Sequence, residues 1–278
     1  MRWTKRTVVR DGVRLNCQDW SGPGVPLVLL HGLAGHAGEW DHLAERLSPR
    51  YRVVAVDQRG HGGSERHPAE LSRAAYVEDV VAVADQLNLA RPVLVGQSLG
   101  GHTAMLAAAT HPDLVRALVM IEAGPGGPEP GTPAKIGAWL DSWPAPFPTH
   151  QEAVEFFGGG ALGQGWAAGL EKRDGRWWPR FERDVMLAAL SENAERSYWP
   201  EWARIRCPTL LVLAQSSIIT APDVDRMLRQ RPDTCAMSIP GTGHDLHLQQ
   251  PDVLYTAIAD FLTPLHETAV ESSKPSQH

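Results

Sequence analysis

A serine stands where a nucleophile would be held, within Val-Leu-Val-Gly-Gln-Ser-Leu-Gly-Gly-His-Thr at residues 93–103. The apolar run before Gly96 is typical of a buried strand, and the Ala-rich run that follows is typical of a helix. Gly96 and Gly100 flank Ser98 at a spacing of two residues, where a Cβ would obstruct a very tight turn. We therefore expect Ser98 to project from a strained turn beside the free N–H groups of a helix start, which suits a nucleophile.

A serine hydroxyl needs a base, because it is a poor nucleophile at neutral pH. Of the twelve histidines, His244 is the best placed, in the segment Pro-Gly-Thr-Gly-His-Asp that follows the last predicted strand. Sites in open parallel sheets form at the carboxyl ends of the strands, the edge that also carries Ser98. We predict that His244 takes the Ser98 proton. We expect His247 to lie at the surface or to pack against the base without touching the substrate.

Acyl transfer also needs N–H donors for the oxyanion that develops during attack. The turn supplies the backbone N–H of Leu99. A second donor is expected at Leu33, in the loop His-Gly-Leu-Ala-Gly at residues 31–35, which follows the first long strand. Only the backbone acts, so the side chains of these two residues are incidental.

Alternating strands and helices must position these groups. The pattern predicts a hairpin around Asp11-Gly12 and strands at 25–30, 51–56, 93–96, 115–121, 208–213 and 234–239. It predicts helices at 38–48, 72–88, 221–230 and 248–263, and a further Ala-rich helix after Ser98. Strand and helix in alternation indicate an α/β fold with right-handed crossovers and a doubly wound sheet.

One segment breaks this regularity and holds most of the ten tryptophans. Residues 124–204 open with prolines and glycines and continue with scattered aromatics, so we predict a mainly helical insertion over the carboxyl ends of the strands. Singly, such aromatics build a small core, but together they suggest an apolar pocket above Ser98. The core domain then comprises 1–123 and 205–265, and 266–278 is expected to be a disordered tail.

Four segments together resemble the α/β-hydrolase superfamily in order and spacing: His-Gly-Leu-Ala-Gly at 31–35, Asp-Gln-Arg-Gly-His-Gly-Gly-Ser at 57–64, Gly-Gln-Ser-Leu-Gly-Gly at 96–101, and Gly-His at 243–244. The resemblance spans roughly residues 8–263 apart from the insertion. It implies an eight-stranded, mostly parallel sheet with helices on both faces, a helical lid after the sixth strand, and a triad of serine, acid and histidine. It also implies that Asp57 and Arg59 are structural.

The acid of the triad departs from the commonest family pattern. The family usually places an Asp just after the strand that ends here near Leu213, but residues 214–222 contain no carboxylate. Glu122 ends the strand next to that of the nucleophile, and certain haloalkane dehalogenases and lactone hydrolases resemble this chain in carrying the acid there. We therefore predict that Glu122 orients His244; the alternative for Glu122 is a solvated residue at the hinge of the lid.

Three other carboxylates are weaker candidates for the acid. Asp223 and Asp225 fall at a predicted helix start, where a carboxylate is favourable in any case. Asp245 adjoins the base in sequence, and neighbouring side chains usually point apart.

Composition limits the partners. The chain of 278 residues carries a net charge of −6, which gives no reason to expect nucleic acid or an anionic membrane as a partner. Three scattered cysteines suit neither a disulfide framework nor a metal site. No apolar run has the length of a signal or membrane segment, so we expect a cytoplasmic protein.

These observations predict a serine hydrolase that cleaves a carboxylic ester or lactone of a hydrophobic small molecule, through an acyl-enzyme on Ser98 and without metal or organic cofactor. Thioester, amide or C–C bond hydrolysis by the same residues remains open. Epoxide hydrolase and dehalogenase activity are disfavoured, since those relatives have Asp at the nucleophile position. A catalytically degenerate protein that binds a small ligand is the alternative of another class.

Overall fold

The computed structural model describes residues 3–271, with side chains as far as residue 264. The strands are β1 (Thr4–Arg10), β2 (Val13–Asp19), β3 (Pro26–Leu30), β4 (Arg52–Val56), β5 (Val93–Gln97), β6 (Ala117–Ile121), β7 (Glu171–Arg173), β8 (Arg176–Trp178), β9 (Thr209–Ala214) and β10 (Cys235–Ile239). The helices are α1 (Asp41–Leu47), α2 (Arg73–Gln86), α3 (Leu99–Thr110), α4 (Thr132–Asp141), α5 (His150–Phe156), α6 (Gly160–Ala168), α7 (Arg183–Glu195), α8 (Trp199–Arg204), α9 (Ala221–Gln230), α10 (Leu246–Gln249) and α11 (Pro251–Glu271), with a 3₁₀-helix at Ala37–Trp40.

The main sheet has eight strands in the order β1-β2-β4-β3-β5-β6-β9-β10. Its pairs are parallel from β4 to β10, and only β1-β2 and β2-β4 are antiparallel. The β1-β2 turn is made by Asp11 and Gly12, both with positive φ, as the dipeptide predicts. The predicted α/β-hydrolase fold, with a mostly parallel eight-stranded sheet, is confirmed.

Two buried apolar clusters cover the two faces of this sheet. One joins the sheet to α2, α3 and α8, and the other joins it to α1 and α11. The central strands β5 and β6 are buried along their whole length, which explains why they read as unbroken apolar runs. Helices on both faces leave the carboxyl ends of these strands as the place where a site can open.

The insertion between β6 and β9 contains the helices α4 to α7 and the antiparallel hairpin β7-β8. Its own apolar cluster centres on Trp143 and Phe147, and includes Ala34 from the loop after β3. Trp143 makes edge-to-face contacts with Trp139, Trp166, Phe157 and Phe181, at centroid distances of 4.7 to 6.0 Å. The insertion is therefore held together by its aromatic residues.

Helix α8 lies within the range 124–204 but packs against the core. Trp199 and Trp202 belong to the same buried cluster as α3, and the Trp202 indole N–H donates to the Met227 carbonyl at 3.1 Å. Only residues up to about 198 therefore pack as part of the insertion.

The C-terminal region differs from the prediction in its details. The single helix expected at 248–263 is two helices, because Pro251 disfavours helical geometry at Gln250, which has φ −135° and ψ 57°. α11 continues to Glu271, inside the range predicted as a tail, and residues 272–278 lie outside the described part of the chain. Among residues 3–271, no helix is both long and apolar enough to cross a membrane.

Candidate active site

Ser98 occupies the turn between β5 and α3 with φ 50° and ψ −117°, a region that residues with a side chain rarely adopt. Its N–H donates to the Ile121 carbonyl at 2.9 Å, which fixes the turn against β6. A Cβ at Gly96 would collide with the Gly100 backbone, and one at Gly100 would collide with the Leu30 carbonyl. The two glycines therefore allow the strained turn that presents the serine, as their spacing predicts.

Glu122, at the end of β6, is fully buried and also has a positive φ of 49°. Its carboxylate accepts hydrogen bonds from the Ala214 N–H at 2.7 Å and the Ile218 N–H at 3.0 Å. Burial opposes ionisation, but the neighbouring His244 and the hydrogen bonds from these amides outweigh it and lower the pKa of the Glu122 carboxyl. The loop that lacks an acid thus supplies the amides that hold one.

His244 lies beside this carboxylate, with 3.5 Å between its Nδ1 and Oε2 of Glu122. Nδ1 is buried and has no hydrogen-bond partner within the described chain, so its contact with Glu122 is at ion-pair distance; about a third of the side chain is exposed. The Gln97 amide donates to the His244 carbonyl oxygen at 3.0 Å, which ties the histidine loop to the residue before Ser98. The carboxylate is placed to select the imidazole tautomer that carries its proton on Nδ1.

Leu33 and Leu99 line the same cavity, and their backbone N–H groups have no hydrogen-bond partner among residues 3–271. Two buried histidines hold the loop that contains Leu33. His31 contacts the Gly32 carbonyl through Nδ1 and accepts from the Gln58 N–H through Nε2, and His61 accepts from the Ala34 N–H at 3.1 Å. Burial lowers the pKa of both rings, so each is neutral and can accept these bonds.

Asp57 and Arg59 lie behind this loop. Asp57 accepts from the Ala37 and Gly63 N–H groups at 2.7 and 2.8 Å, and Arg59 makes a bidentate pair with Asp79 at 2.6 Å. Both side chains are buried and engaged, which supports the structural role that the resemblance implies.

Two of the weaker acid candidates are engaged elsewhere. Asp223 accepts from the Thr220 hydroxyl at 2.7 Å in the first turn of α9. Asp245 accepts from the Trp166 indole N–H at 3.2 Å. Glu122 is the carboxylate that faces Nδ1 of His244.

Ser98, His244 and Glu122 open onto one cavity of about 580 Å³, a size usual for small-molecule sites. The core provides its floor, and the insertion provides a wall that includes Ile136, Trp139, Trp166 and Leu190. The apolar pocket expected over Ser98 is therefore lined by two of the tryptophans of the insertion, whereas Trp143 packs behind them.

Sequence reasoning missed several polar residues of this cavity, among them Glu39, His102 and Tyr198. His102 could have been noticed, because it follows Ser98 by one helical turn on α3. Glu39 carries no such signal, since its place depends on how the 3₁₀-helix packs against His247.

The described residues contain no group of three His, Cys, Asp or Glu side chains that could hold a metal ion.

The fold and this arrangement define a class of protein. The model of the alpha/beta hydrolase family matches residues 27–257, and the chain belongs to that family. It is 27% identical over 259 residues to 2-(acetamidomethylene)succinate hydrolase of Mesorhizobium japonicum, covering 90% of this chain and 92% of that protein. It is 30% identical over 251 residues to the sn-1-specific diacylglycerol lipase ABHD11 of Mus musculus, covering 85% and 80%.

Among solved structures, the crystal structure of E-2-(acetamidomethylene)succinate hydrolase superposes with a TM-score of 0.84 at 26% identity, over 94% of this chain and 99% of that chain. Similarity to hydrolases along most of the chain supports a hydrolase in general.

Proposed function

We propose that the protein is a serine hydrolase that cleaves a carboxylic ester or lactone of a hydrophobic small molecule through an acyl-enzyme on Ser98. The observation that carries the proposal is the buried Glu122 carboxylate, 3.5 Å from Nδ1 of His244, in the cavity that also holds the strained Ser98. An acid at that distance stabilises the imidazolium that forms when the base takes a proton.

The reaction follows from these positions. His244 takes the proton from the Ser98 hydroxyl as its oxygen attacks the carbonyl carbon, and the Leu33 and Leu99 N–H groups hold the oxyanion. The C–O bond to the alcohol breaks, and the alcohol leaves with the proton from His244. Water then loses a proton to His244 and attacks the acyl-enzyme, releasing the acid and restoring the serine.

The insertion acts in this proposal as a lid, residues 124 to about 198, that closes the cavity and excludes water from the acyl-enzyme. Trp139 and Trp166 form the apolar wall that receives the substrate. The steps need no metal or organic cofactor.

A fluorophosphonate probe tests the proposal directly. Wild-type protein and Ser142→Ala, which changes an exposed serine, are expected to become labelled and to hydrolyse short para-nitrophenyl esters, whereas Ser98→Ala loses both properties. A wild-type protein that neither labels nor turns over any ester, thioester or lactone would instead be a ligand-binding member of the family.

A further inference from the structure

One wall of the cavity carries polar groups that the proposed chemistry does not use. It is formed by His102 in the first turns of α3 and by Arg196 and Tyr198 in the connection from α7 to α8. His102 and Tyr198 are 6% and 2% exposed. Neither ring nitrogen of His102, nor the Tyr198 hydroxyl, has a hydrogen-bond partner within the described chain. Buried polar atoms are normally satisfied, so three unpaired ones in one wall point to a ligand.

These side chains form a continuous patch close to the nucleophile. The His102 N–H donates to the Ser98 carbonyl at 2.9 Å, so the two residues are one turn apart, about 6 Å along the helix. The His102 and Tyr198 rings meet edge to face at 4.5 Å. The Arg196 guanidinium lies over the Tyr198 ring at 4.1 Å and pairs with Glu201 at 2.5 Å, which leaves further N–H donors of Arg196 at the cavity rim.

A second cation lies behind this patch. Arg73 is 2% exposed and donates to the Leu99 carbonyl and the Thr103 hydroxyl, but its Nε and Nη1 have no partner among residues 3–264. No carboxylate forms an ion pair with its side chain in that range; Glu192 accepts from its backbone N–H at 3.1 Å and acts on the guanidinium only through its charge. A buried guanidinium without a paired anion is costly.

The charged side chains that act on His102 are therefore both positive. Burial, and then the positive charges of Arg73 and Arg196, lower the pKa of His102 well below its ordinary value, and no carboxylate opposes them. His102 is neutral, with one donor and one acceptor nitrogen. Glu201 pairs with Arg196, and Glu192 also acts on Tyr198, so the wall has no uniform positive field. Its complementarity to an anion lies in the unpaired donors of His102 and Tyr198 beside the Arg196 guanidinium.

We propose that this wall is a subsite for a carboxylate of the substrate, bound by the Arg196 guanidinium, the Tyr198 hydroxyl and one N–H of His102. The inference rests on the proposed function and deepens it: the preferred substrate is an ester or lactone of a dicarboxylic acid, with its free carboxylate about one helical turn from the reacting carbonyl. A glutaryl chain bridges that spacing. The apolar wall of tryptophans receives the remainder of the molecule.

Paired substrates test the subsite. Wild-type kcat/KM is expected to be at least about tenfold higher for mono-para-nitrophenyl glutarate than for its neutral methyl ester, because charge-assisted hydrogen bonds hold the acid. Tyr198→Phe and Arg196→Gln are each expected to reduce this ratio by about five- to tenfold, mainly through KM for the acidic ester. Arg226→Gln, which removes an exposed arginine stacked on Trp199 outside the cavity, keeps the wild-type ratio.

Protein stability separates binding from folding. The Tyr198 hydroxyl has no partner to lose, so Tyr198→Phe is expected to keep the wild-type Tm while losing the preference for the acidic ester. A wild-type protein that treats the two esters alike, or a preference that survives in both Tyr198→Phe and Arg196→Gln, overturns the proposal.

Failure of the proposed function is distinguishable. If neither ester is turned over, calorimetry with monomethyl glutarate, which keeps one free carboxylate, and with dimethyl glutarate, which has none, decides the subsite alone. Tighter binding of monomethyl glutarate by wild type, weakened about tenfold in Tyr198→Phe and Arg196→Gln, supports the subsite. Equal or undetectable binding of the two compounds by wild type overturns it.

Discussion

Glu122 takes the three kinds of contact that a triad acid needs, namely two backbone amides, full burial and the imidazole of His244. An amide in its place could still accept hydrogen bonds but could not stabilise an imidazolium. Glu122→Gln is therefore expected to lower kcat by about 10²–10⁴. Steady-state kinetics on a para-nitrophenyl ester measures the loss.

The matched control for that variant is Asp225→Asn, which removes a carboxylate on the exposed side of α9. It is expected to keep kcat within about twofold, since surface substitutions have small effects. A Glu122→Gln enzyme as fast as wild type would refute the assignment of the acid.

Glu39 is the second buried acid of the cavity, with Oε2 3.2 Å from Nε2 of His247 and Oε1 unpartnered in the described chain. Burial raises its pKa from 4.5 to about 8, although His36 opposes the shift. The folded protein therefore binds a proton that the unfolded chain releases above pH 4.5, so stability falls as pH rises from 4.5 to 8.

Glutamine does not titrate, so a Glu39→Gln variant does not lose stability through residue 39 as the pH rises. Relative to wild type, Glu39→Gln is expected to raise Tm more at pH 9 than at pH 5, by at least about 2 °C. Scanning calorimetry at the two pH values measures the difference, and Glu195→Gln on the exposed side of α7 should show the same small change at both. A Tm gain that is equal at pH 5 and pH 9 for Glu39→Gln contradicts a protonated Glu39.

At the scale of elements, the close packing of α3 against the sheet reverses the usual effect of a Gly→Ala substitution, which ordinarily stabilises a helix. Ala exceeds Gly in helix propensity by about 1 kcal/mol. At Gly100, however, the new Cβ would collide with the carbonyl oxygens of Leu30 and His31. Gly100→Ala is therefore expected to destabilise the protein by more than about 2 kcal/mol, measured by urea denaturation.

Gly127→Ala is the control, because a Cβ there meets nothing within 4 Å and φ is not positive. It should change the free energy of unfolding by less than about 1 kcal/mol. If Gly100→Ala is as stable as wild type, the strand and helix are not in close contact at the turn.

The strands also show which parts of the fold the sequence alone could predict. Continuous apolar runs predicted β3, β5, β6 and β9 to within two residues at each end, because strands covered on both faces have few polar interruptions. The hairpin β7-β8 was not predicted, since strands of three residues show no period, yet its turn at Asp174-Gly175 has the same signal as Asp11-Gly12.

The residues of the site likewise include some that the sequence predicts and some that it does not. The positions of the proposed nucleophile Ser98, the proposed base His244 and the two proposed oxyanion amides could be predicted from turns with characteristic residues. The unpaired state of His102 and Tyr198 could not, because it depends on which groups the fold leaves out of reach. The cavity role of Trp139, as opposed to the core role of Trp143, likewise depends on how α4 packs.

At the scale of the whole molecule, Trp139 and Trp143 have different roles, the first in substrate binding and the second in stability. Trp139 is 37% exposed and lines the cavity, whereas Trp143 is 8% exposed at the centre of the aromatic cluster of the insertion. Trp139→Ala is expected to raise KM for a hydrophobic ester about three- to tenfold with little change in Tm. Trp143→Ala is expected to cost about 3–5 kcal/mol in stability.

Kinetics and thermal unfolding of both variants check this pair. The assignment is contradicted if Trp139→Ala unfolds as early as Trp143→Ala, or if it leaves the KM values of long-chain and short-chain esters equally unchanged.

The loop after β9 holds the Glu122 carboxylate by the Ala214 and Ile218 amides, and the Ser217 hydroxyl also interacts with it. This has a consequence for descent. An ancestor with the acid in that loop could not gain Glu122 without two carboxylates repelling each other in one buried pocket, nor lose its loop acid first without losing the triad. With Glu122 as the proposed acid, exchange of the acid between the two strands passes through a disadvantaged intermediate, and we expect the position of the acid to mark lineages within the family.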